Sequence, residues 1–283
     1  MLSIIVVINF ISLLCCCFQS LVLSSSISPG AMPRNIKLMD DAQIAKQTDH
    51  AGRVWEQAIA AKGGRARLHS LRNMIMSTRG EYLTRSLKKN EVRGETLFVF
   101  PNKYWDWSDY RPDVFGLRIS MYNFDTKMKY IISDGEPNHP PEPLTDEERK
   151  RSLRNAQLSF LLETKWLKPT IVKAKTGRVG LRPVYIVQTM VEGERVDFAF
   201  DKKTHLLVSV SYYDVINDKT YITVQSFSDY TEINDIKMPQ TIVGDDGTKH
   251  KATFRFNVEY NEDIFIKPPP IEAGPEAWKV GKH

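Results

Sequence analysis

The stretch VDFAFDKKTHLLVSVSYYDV, residues 196–215, gives the clearest indication of the fold class of this chain. Large apolar residues fill every second position on both sides of a polar turn: they are Val196, Phe198 and Phe200, then Leu206, Val208, Val210 and Tyr212. A period of two sends successive side chains to opposite faces of a strand. The stretch therefore predicts two antiparallel strands, each with one buried face and one wetter face.

Similar strand patterns continue through residues 74–132 and 170–266. Tight-turn pairs within the second region are Glu192-Gly193, Asn217-Asp218 and Asp246-Gly247. Because the gaps are short and no helix intervenes there, consecutive strands should be antiparallel neighbours. We predict an α+β fold, mainly antiparallel β, in which about nine to eleven strands form a strongly curved, unclosed β-barrel covered by two or three helices.

The sequence predicts two main helices. Residues 40–62 carry apolar residues at helical spacing and stop at Gly63-Gly64. Thr145 and Glu148 form a capping box that opens the second helix. Two apolar stripes follow: Leu153, Ala156, Phe160, Leu161 and Leu167 on one side, and Leu158, Leu162 and Trp166 on another. Such a helix is buried on several sides or faces an apolar cavity.

The N-terminal segment predicts export. Residues 1–33 contain no charged residue or histidine, and residues 2–23 are mostly apolar. That length suits either a spanning helix or a signal peptide, although a basic n-region is missing. We assign residues 1–26 to a signal peptide or membrane anchor, 27–39 to a linker, 40–267 to one domain and 268–283 to an extended, loosely held tail. Acylation of Cys15, Cys16 or Cys17 would lack the usual small residue before the cysteine.

Composition and motifs argue against several classes of function. A net charge of +5 is too small for a dedicated nucleic-acid binder. The histidines show no metal-ligand spacing, and the chain has no Gly-rich phosphate loop or nucleophile elbow. We expect no cofactor, metal or catalysis. Residues 62–93 hold nine Lys or Arg against Glu81 and Glu91, which suits either an anion-binding patch or a solvated strand face.

Four segments, in order along the chain, resemble the bacterial outer-membrane lipoprotein-sorting (LolA/LolB-like) family. They are WEQAIAAKGGRARLHSL from Trp55; FAFDKKT from Phe198 with the strand to Tyr213; FSDY from Phe227 with Ile233, Ile236, Met238 and Pro239; and VEYN from Val258 with Phe265 and Pro268. Asp235 stands where the family usually has glycine. The resemblance implies an unclosed barrel with a helical lid that holds acyl chains in a hydrophobic interior.

The resemblance also implies a function. We expect a monomeric periplasmic carrier or chaperone for lipoprotein acyl chains or lipids, with membrane-associated donor or acceptor proteins as partners. A membrane-anchored sensor of the same fold and an enzyme with an unrecognised site remain alternatives. The residues expected to contact an acyl chain, with plain core packing as the alternative for each, are Trp55, Ile59, Phe98, Phe100, Trp105, Leu158, Phe160, Leu161, Leu162 and Trp166.

Overall fold

A computed structural model describes most of the chain beyond the N-terminal segment. The described residues are 41–83, 89–112, 116–134, 140–150, 161–166, 168–216, 219–244, 247–267 and 269–281. The predicted signal peptide or anchor, the linker, the turn at Asn217-Asp218 and the predicted contacts Leu158 and Phe160 lie outside these residues.

Two helices precede a run of thirteen strands. Helix α1 is Asp41–Lys62 and α2 is Arg65–His69. The strands are β1 (Asn73–Leu83), β2 (Lys89–Val99), β3 (Lys103–Asp109), β4 (Leu117–Asn123), β5 (Met128–Ser133), β6 (Glu142–Pro143), β7 (Thr170–Val179), β8 (Arg182–Val191), β9 (Glu194–Asp201), β10 (Leu207–Ile216), β11 (Lys219–Ile233), β12 (Ile236–Val243) and β13 (Lys249–Phe256). Residues 146–150 are helical, and short 3-10 turns cover Glu262–Phe265 and Ile271–Ala273.

All thirteen strands belong to one antiparallel sheet. Its order is β6-β5-β4-β3-β2-β1-β13-β12-β11-β10-β9-β8-β7. β6 and β7 form the two edges, so the sheet is not closed. The predicted fold class is therefore confirmed, with more strands than the nine to eleven expected, one of them the two-residue β6.

One core lies on the face of the sheet against which α1 packs, which we call the inner face. A single contiguous cluster joins α1 to side chains from β2–β4 and from β8–β13. Laid flat, thirteen strands at about 4.8 Å spacing would be about 60 Å wide, whereas a helix is about 10 Å across. The sheet must therefore curl around α1 and its neighbours to bring these side chains into one cluster.

A second core lies on the opposite, outer face of β1–β5. It contains Ile75, Leu97, Trp105, Trp107, Ile119 and Met121 from the strands, with Ile264, Phe265, Ala277 and Trp278 from the C-terminal segment. The indole N–H of Trp278 donates to Glu95 Oε1 at 2.5 Å, and the ring is 2% exposed. The prediction of a loosely held tail was wrong, because the outer apolar face of these strands needs a cover.

Local backbone geometry interrupts the alternation of side-chain faces at two places. A β-bulge between Leu207 and Ser209 shifts the register of β10 against β9. As a result Leu207 joins the inner core, whereas Val208 packs on the other side of the sheet. Asn257 has φ 51 and ends β13, so Val258 packs against the outer core instead of continuing the inner face.

Two connections require particular residues: the turn that follows β8 and the end of α1. Glu192 and Gly193, with φ 50 and 83, form the predicted two-residue turn between β8 and β9. Gly63 has φ 140, and a Cβ there would lie 2.3 Å from the carbonyl oxygen of Asp235. The end of α1 therefore approaches the β11–β12 turn closely, and Arg67 pairs with Asp235 at 2.5 Å.

Candidate functional site

The inner face of β2–β4 carries a row of aromatic rings. Phe98, Tyr104 and Tyr122 occupy neighbouring positions on the three strands, with ring centroids 5.3 and 5.5 Å apart. Phe124 stacks on Tyr122 at 6.1 Å, and Phe100 is buried in the same cluster. Such a row presents a continuous apolar surface of the kind that can pack against an acyl chain.

Helix α1 fills another part of the interior. It packs against β7, β8 and β12. The ring of Trp55 meets Phe198 and Phe200 edge-on, with centroids 5.2 and 5.8 Å apart. Ile59 lies one turn further along the helix and is also buried. These four side chains therefore act as core in the structure described.

Two described stretches, residues 144–150 and 161–163, contribute side chains to the inner core, and we call these two stretches the covering segment. The first begins at a confirmed capping box. Glu148 N donates to Thr145 Oγ1 at 3.1 Å, and Thr145 N donates to Glu148 Oε2 at 3.0 Å. Lys129 Nζ lies 3.2 Å from Glu148 Oε1. Burial would raise the pKa of Glu148, but the hydrogen bonds from Thr145 and Lys129 outweigh it and lower the pKa. Leu144, just before the cap, is buried in the inner core.

The far end of the same segment is held by Glu163, whose side chain is 6% exposed. Its carboxylate accepts from Arg65 Nε at 2.6 Å and from the Trp55 indole N–H at 3.3 Å, and lies 2.9 Å from His69 Nε2. Burial would raise the pKa of Glu163, but these hydrogen bonds, led by that of Arg65, lower it. Leu161 and Leu162, the two residues before Glu163, are buried in the inner core.

A polar row adjoins the aromatic row on the inner face. Thr96, Asp106 and Ser120 are directly opposite one another on β2, β3 and β4. Asp106 is 0% exposed and accepts from Thr96 Oγ1 at 2.6 Å and Ser108 Oγ at 3.2 Å. Burial raises the pKa of Asp106 well above its ordinary value, despite these hydrogen bonds. The Ser120 hydroxyl is buried and has no hydrogen-bond partner within the part of the chain that the structure describes.

Sequence reasoning missed this polar row. The signal was present in KYWDWSD, where Tyr104, Asp106 and Ser108 alternate with Trp105 and Trp107. Alternation assigns the two sets to opposite faces of β3, but it does not show which set faces the helices. A carboxylate on a face shared with aromatic rings is unusual enough to mark a site, because burial of an unpaired charge is costly.

A buried lysine was also missed. Lys62, the last residue of α1, is 2% exposed, and its ammonium lies 5.4 Å from the centroid of the Tyr230 ring. Burial lowers the pKa of Lys62 to about 7.

The structure brings together most of the predicted acyl-chain contacts that it describes. Six lie in the inner cluster: Trp55, Ile59, Phe98, Phe100, Leu161 and Leu162. Trp105 does not, because its position on β3 points it to the outer core. Trp166 is 43% exposed. Trp105 falls outside the inner cluster because strand register and helix packing, and not hydrophobicity alone, decide which side chains face the interior.

No group of three or more His, Cys, Asp or Glu side chains in the described part of the chain is arranged to hold a metal ion. None of the helices formed by these residues has the length and apolar character needed to cross a membrane.

Comparison with known proteins gives distant similarities to solved structures. No family model matches the chain, and no curated protein matches its sequence. Among solved structures, the chain is similar to a domain described as an outer membrane lipoprotein-sorting protein from Vibrio parahaemolyticus, with 12% identity, a TM-score of 0.47, and coverage of 77% of this chain and 97% of that one. A LolA superfamily protein from Nitrosomonas europaea gives 9% identity, a TM-score of 0.47, and coverage of 76% and 96%.

LprF from Mycobacterium bovis is also similar, with 10% identity, a TM-score of 0.29, and coverage of 79% of this chain and 99% of that one. The fold of this chain, described from its own structure, is an unclosed antiparallel sheet curled around a few helices. At these identities and TM-scores the similarities carry no argument about ligand or function, and the ligand has to be argued from the residues of this chain.

Proposed function

We propose that this protein is a periplasmic carrier or chaperone that binds the acyl chains of lipoproteins or lipids against the inner face of its sheet. The observation that carries the proposal is the aromatic row of β2–β4, which belongs to one apolar cluster with Leu144, Leu161 and Leu162 of the covering segment. Polar contacts hold that segment at both ends, through Glu148 and Glu163. The apolar residues of that segment are the part of the inner cluster that a guest would replace.

The energetics favour an acyl chain as the guest. Each methylene group taken from water contributes about 0.8 kcal/mol, so a long chain needs no specific polar motif to be retained. When the covering segment moves aside, the chain would take over the contacts of Leu161 and Leu162 with the inner face. The cost of opening is then the rupture of the contacts at Glu163 and Glu148, two of them with charged partners, Arg65 and Lys129.

The polar row would fix the orientation of the bound acyl chain. Apolar rings lie on one side of the row, and Asp106, Thr96 and Ser120 form it. A raised pKa favours the protonated Asp106 carboxyl, which can donate a hydrogen bond, and the Ser120 hydroxyl is buried without a partner within the described residues. Both groups suit the ester or amide oxygens where an acyl chain joins its headgroup or peptide.

The proposal is tested by measuring bound lipid. The purified full-length chain should carry co-purified lipid in native mass spectrometry and should bind a fluorescent fatty acid. The variant Leu161→Gln/Leu162→Gln places polar groups in the apolar cover and should strengthen fatty-acid binding by about tenfold, because buried amides without partners destabilise the closed state that the guest must displace.

The control is Ile264→Gln, which disturbs the outer core. Circular dichroism should show that both proteins are folded, and only the inner-face variant should bind the fatty acid more tightly. Equal affinity of the wild type and Leu161→Gln/Leu162→Gln, or an equal gain in the control, would contradict the assignment of the inner face as the binding site.

A further inference from the structure

The strand order places several connections at one end of the sheet. When consecutive strands are antiparallel neighbours, every second connection lies at the same end of the strands. One end of the sheet, which we call the β1–β2 end, carries the connections β1–β2, β8–β9, β10–β11 and β12–β13. Connections β2–β3, β4–β5, β7–β8 and β9–β10 lie at the other end. Features that belong to different strands can therefore meet one external surface.

Three cations face one another across the outer face near the β1–β2 end. Arg79 of β1 is directly opposite Arg93 of β2 and directly opposite Lys251 of β13. Like charges at opposed positions repel, and a sheet has no structural need for them. Glu91 contacts both arginines, and Asp229 lies 3.2 Å from Lys251. The row is thus only partly neutralised.

A groove of about 610 Å³ adjoins this row. The charged residues in its lining are Arg79, Lys89, Lys249 and Lys251, with Glu81 and Glu91. Both carboxylates are engaged: Glu91 with Arg79, and Glu81 with Lys89 at 3.4 Å. Lys249 has no ion pair with any residue that the structure describes, and it stands opposite Glu81 on β1. The groove therefore has more cations than carboxylates and suits a phosphate group.

A two-stranded ribbon projects at the same end. β10 pairs with β9 only as far as Tyr212, and β11 pairs with β12 only from Ser226. Between these limits β10 and β11 pair with each other alone in the described register. The ribbon exposes large apolar or aromatic side chains: Ile222 is 58% exposed, Tyr213 is 43% exposed and Tyr221 is 42% exposed. Tyr213 and Ile222 are directly opposite one another.

We propose that the β1–β2 end of the sheet docks on an anionic membrane surface, with the groove cations on lipid phosphates and the β10–β11 ribbon in the interface. β1 and β11 are three strand spacings apart, about 14 Å, so one bilayer surface reaches both. Lysine and arginine bind anionic leaflets through charge, and tyrosine is favoured at membrane interfaces. A free phosphate would explain the groove alone, whereas a bilayer explains the groove and the ribbon together. The surface is separate from the inner face, so this proposal does not depend on acyl-chain binding.

Vesicle partitioning of the full-length chain tests the cationic part. The uncharged N-terminal segment should bind neutral and anionic vesicles alike, so the measured quantity is the ratio of binding to phosphatidylglycerol-containing and pure phosphatidylcholine vesicles. The ratio should exceed one and fall with salt. Lys89→Glu/Lys249→Glu should lower it by about tenfold or more. The control Lys203→Glu/Lys267→Glu has the same net charge change away from this end and should leave the ratio nearly unchanged.

Substitution in the ribbon tests the apolar part. Ile222→Ser should weaken binding to both kinds of vesicle several-fold, whereas Leu181→Ser, which alters a side chain 91% exposed at the other end, should not. Unaltered binding of Ile222→Ser overturns insertion of the ribbon. Equal loss in both charge-reversal proteins overturns the groove as the docking site. Displacement by inorganic phosphate, but not by chloride at the same ionic strength, would show a site for free anions and also overturn membrane docking.

Discussion

Asp106 matters both for the stability of the fold and for the proposed function. It lies on the inner face between the hydroxyls of Thr96 and Ser108, and it is 0% exposed. A carboxylate at this position gives up its hydration, and the neutral hydroxyl donors around it, Tyr104 among them, replace only part of that hydration. As a consequence, the pKa of Asp106 is raised. The protonated carboxyl can donate a hydrogen bond, which an apolar side chain at this position could not do.

The raised pKa predicts a pH dependence of stability. Because the folded pKa of Asp106 exceeds the unfolded value near 3.8, the folded state binds more protons between these two values. The contribution of Asp106 to the free energy of unfolding is therefore full below about pH 4 and is lost as pH rises through the folded pKa. Asp106→Asn should remove this loss and stabilise the protein at neutral pH relative to the wild type. Urea unfolding of both proteins from pH 4 to 8 measures the difference; parallel curves would contradict the prediction.

At the scale of elements, the C-terminal segment is a structural part of the outer core. Trp278 is 2% exposed and donates to Glu95, which also accepts from Ser77 Oγ at 2.8 Å and lies 3.5 Å from Arg255. Removing the ring leaves a cavity and withdraws one partner from a buried carboxylate. The segment thus covers strands whose outer faces would otherwise expose Trp105 and Leu97.

We expect Trp278→Ala to lower the free energy of unfolding by about 3–5 kcal/mol, which is typical of a buried aromatic residue replaced by alanine. Chemical denaturation monitored by far-UV circular dichroism provides the measurement. Val280→Ala is the matched control, because Val280 is 64% exposed, and it should change stability by less than about 0.5 kcal/mol. A small effect at Trp278 would mean that the segment is only loosely attached.

Elements set by local chemistry could be predicted from the sequence. The capping box of Thr145 and Glu148, the turn at Glu192-Gly193 and the end of α1 before Gly63 each depend on residues close along the chain. Alternation also gave the antiparallel strands from Thr170 onward.

Elements set by contacts distant in sequence could not be predicted. The bulge in β10 depends on its pairing with β9, and the sequence offers no glycine or proline to mark it. Trp105 was assigned to the acyl-chain site because it is aromatic, whereas its face is decided by the register of β3 against its neighbours. Trp278 and Glu95 meet across 183 positions of the chain, and no local pattern links them.

At the scale of the whole molecule, one sheet carries both cores. Met74 and Ile75 on β1, like Phe98 and Leu97 on β2, are neighbours in sequence that support opposite cores. Loss of either core uncovers strands that the other core needs, so the two should unfold together. Tryptophan fluorescence, which reports mainly on the outer core through Trp105, Trp107 and Trp278, should therefore give the same urea midpoint as far-UV circular dichroism, which reports on the sheet. Two separate transitions, with fluorescence changing first, would show instead that the C-terminal segment detaches from a sheet that the inner core and α1 can sustain alone.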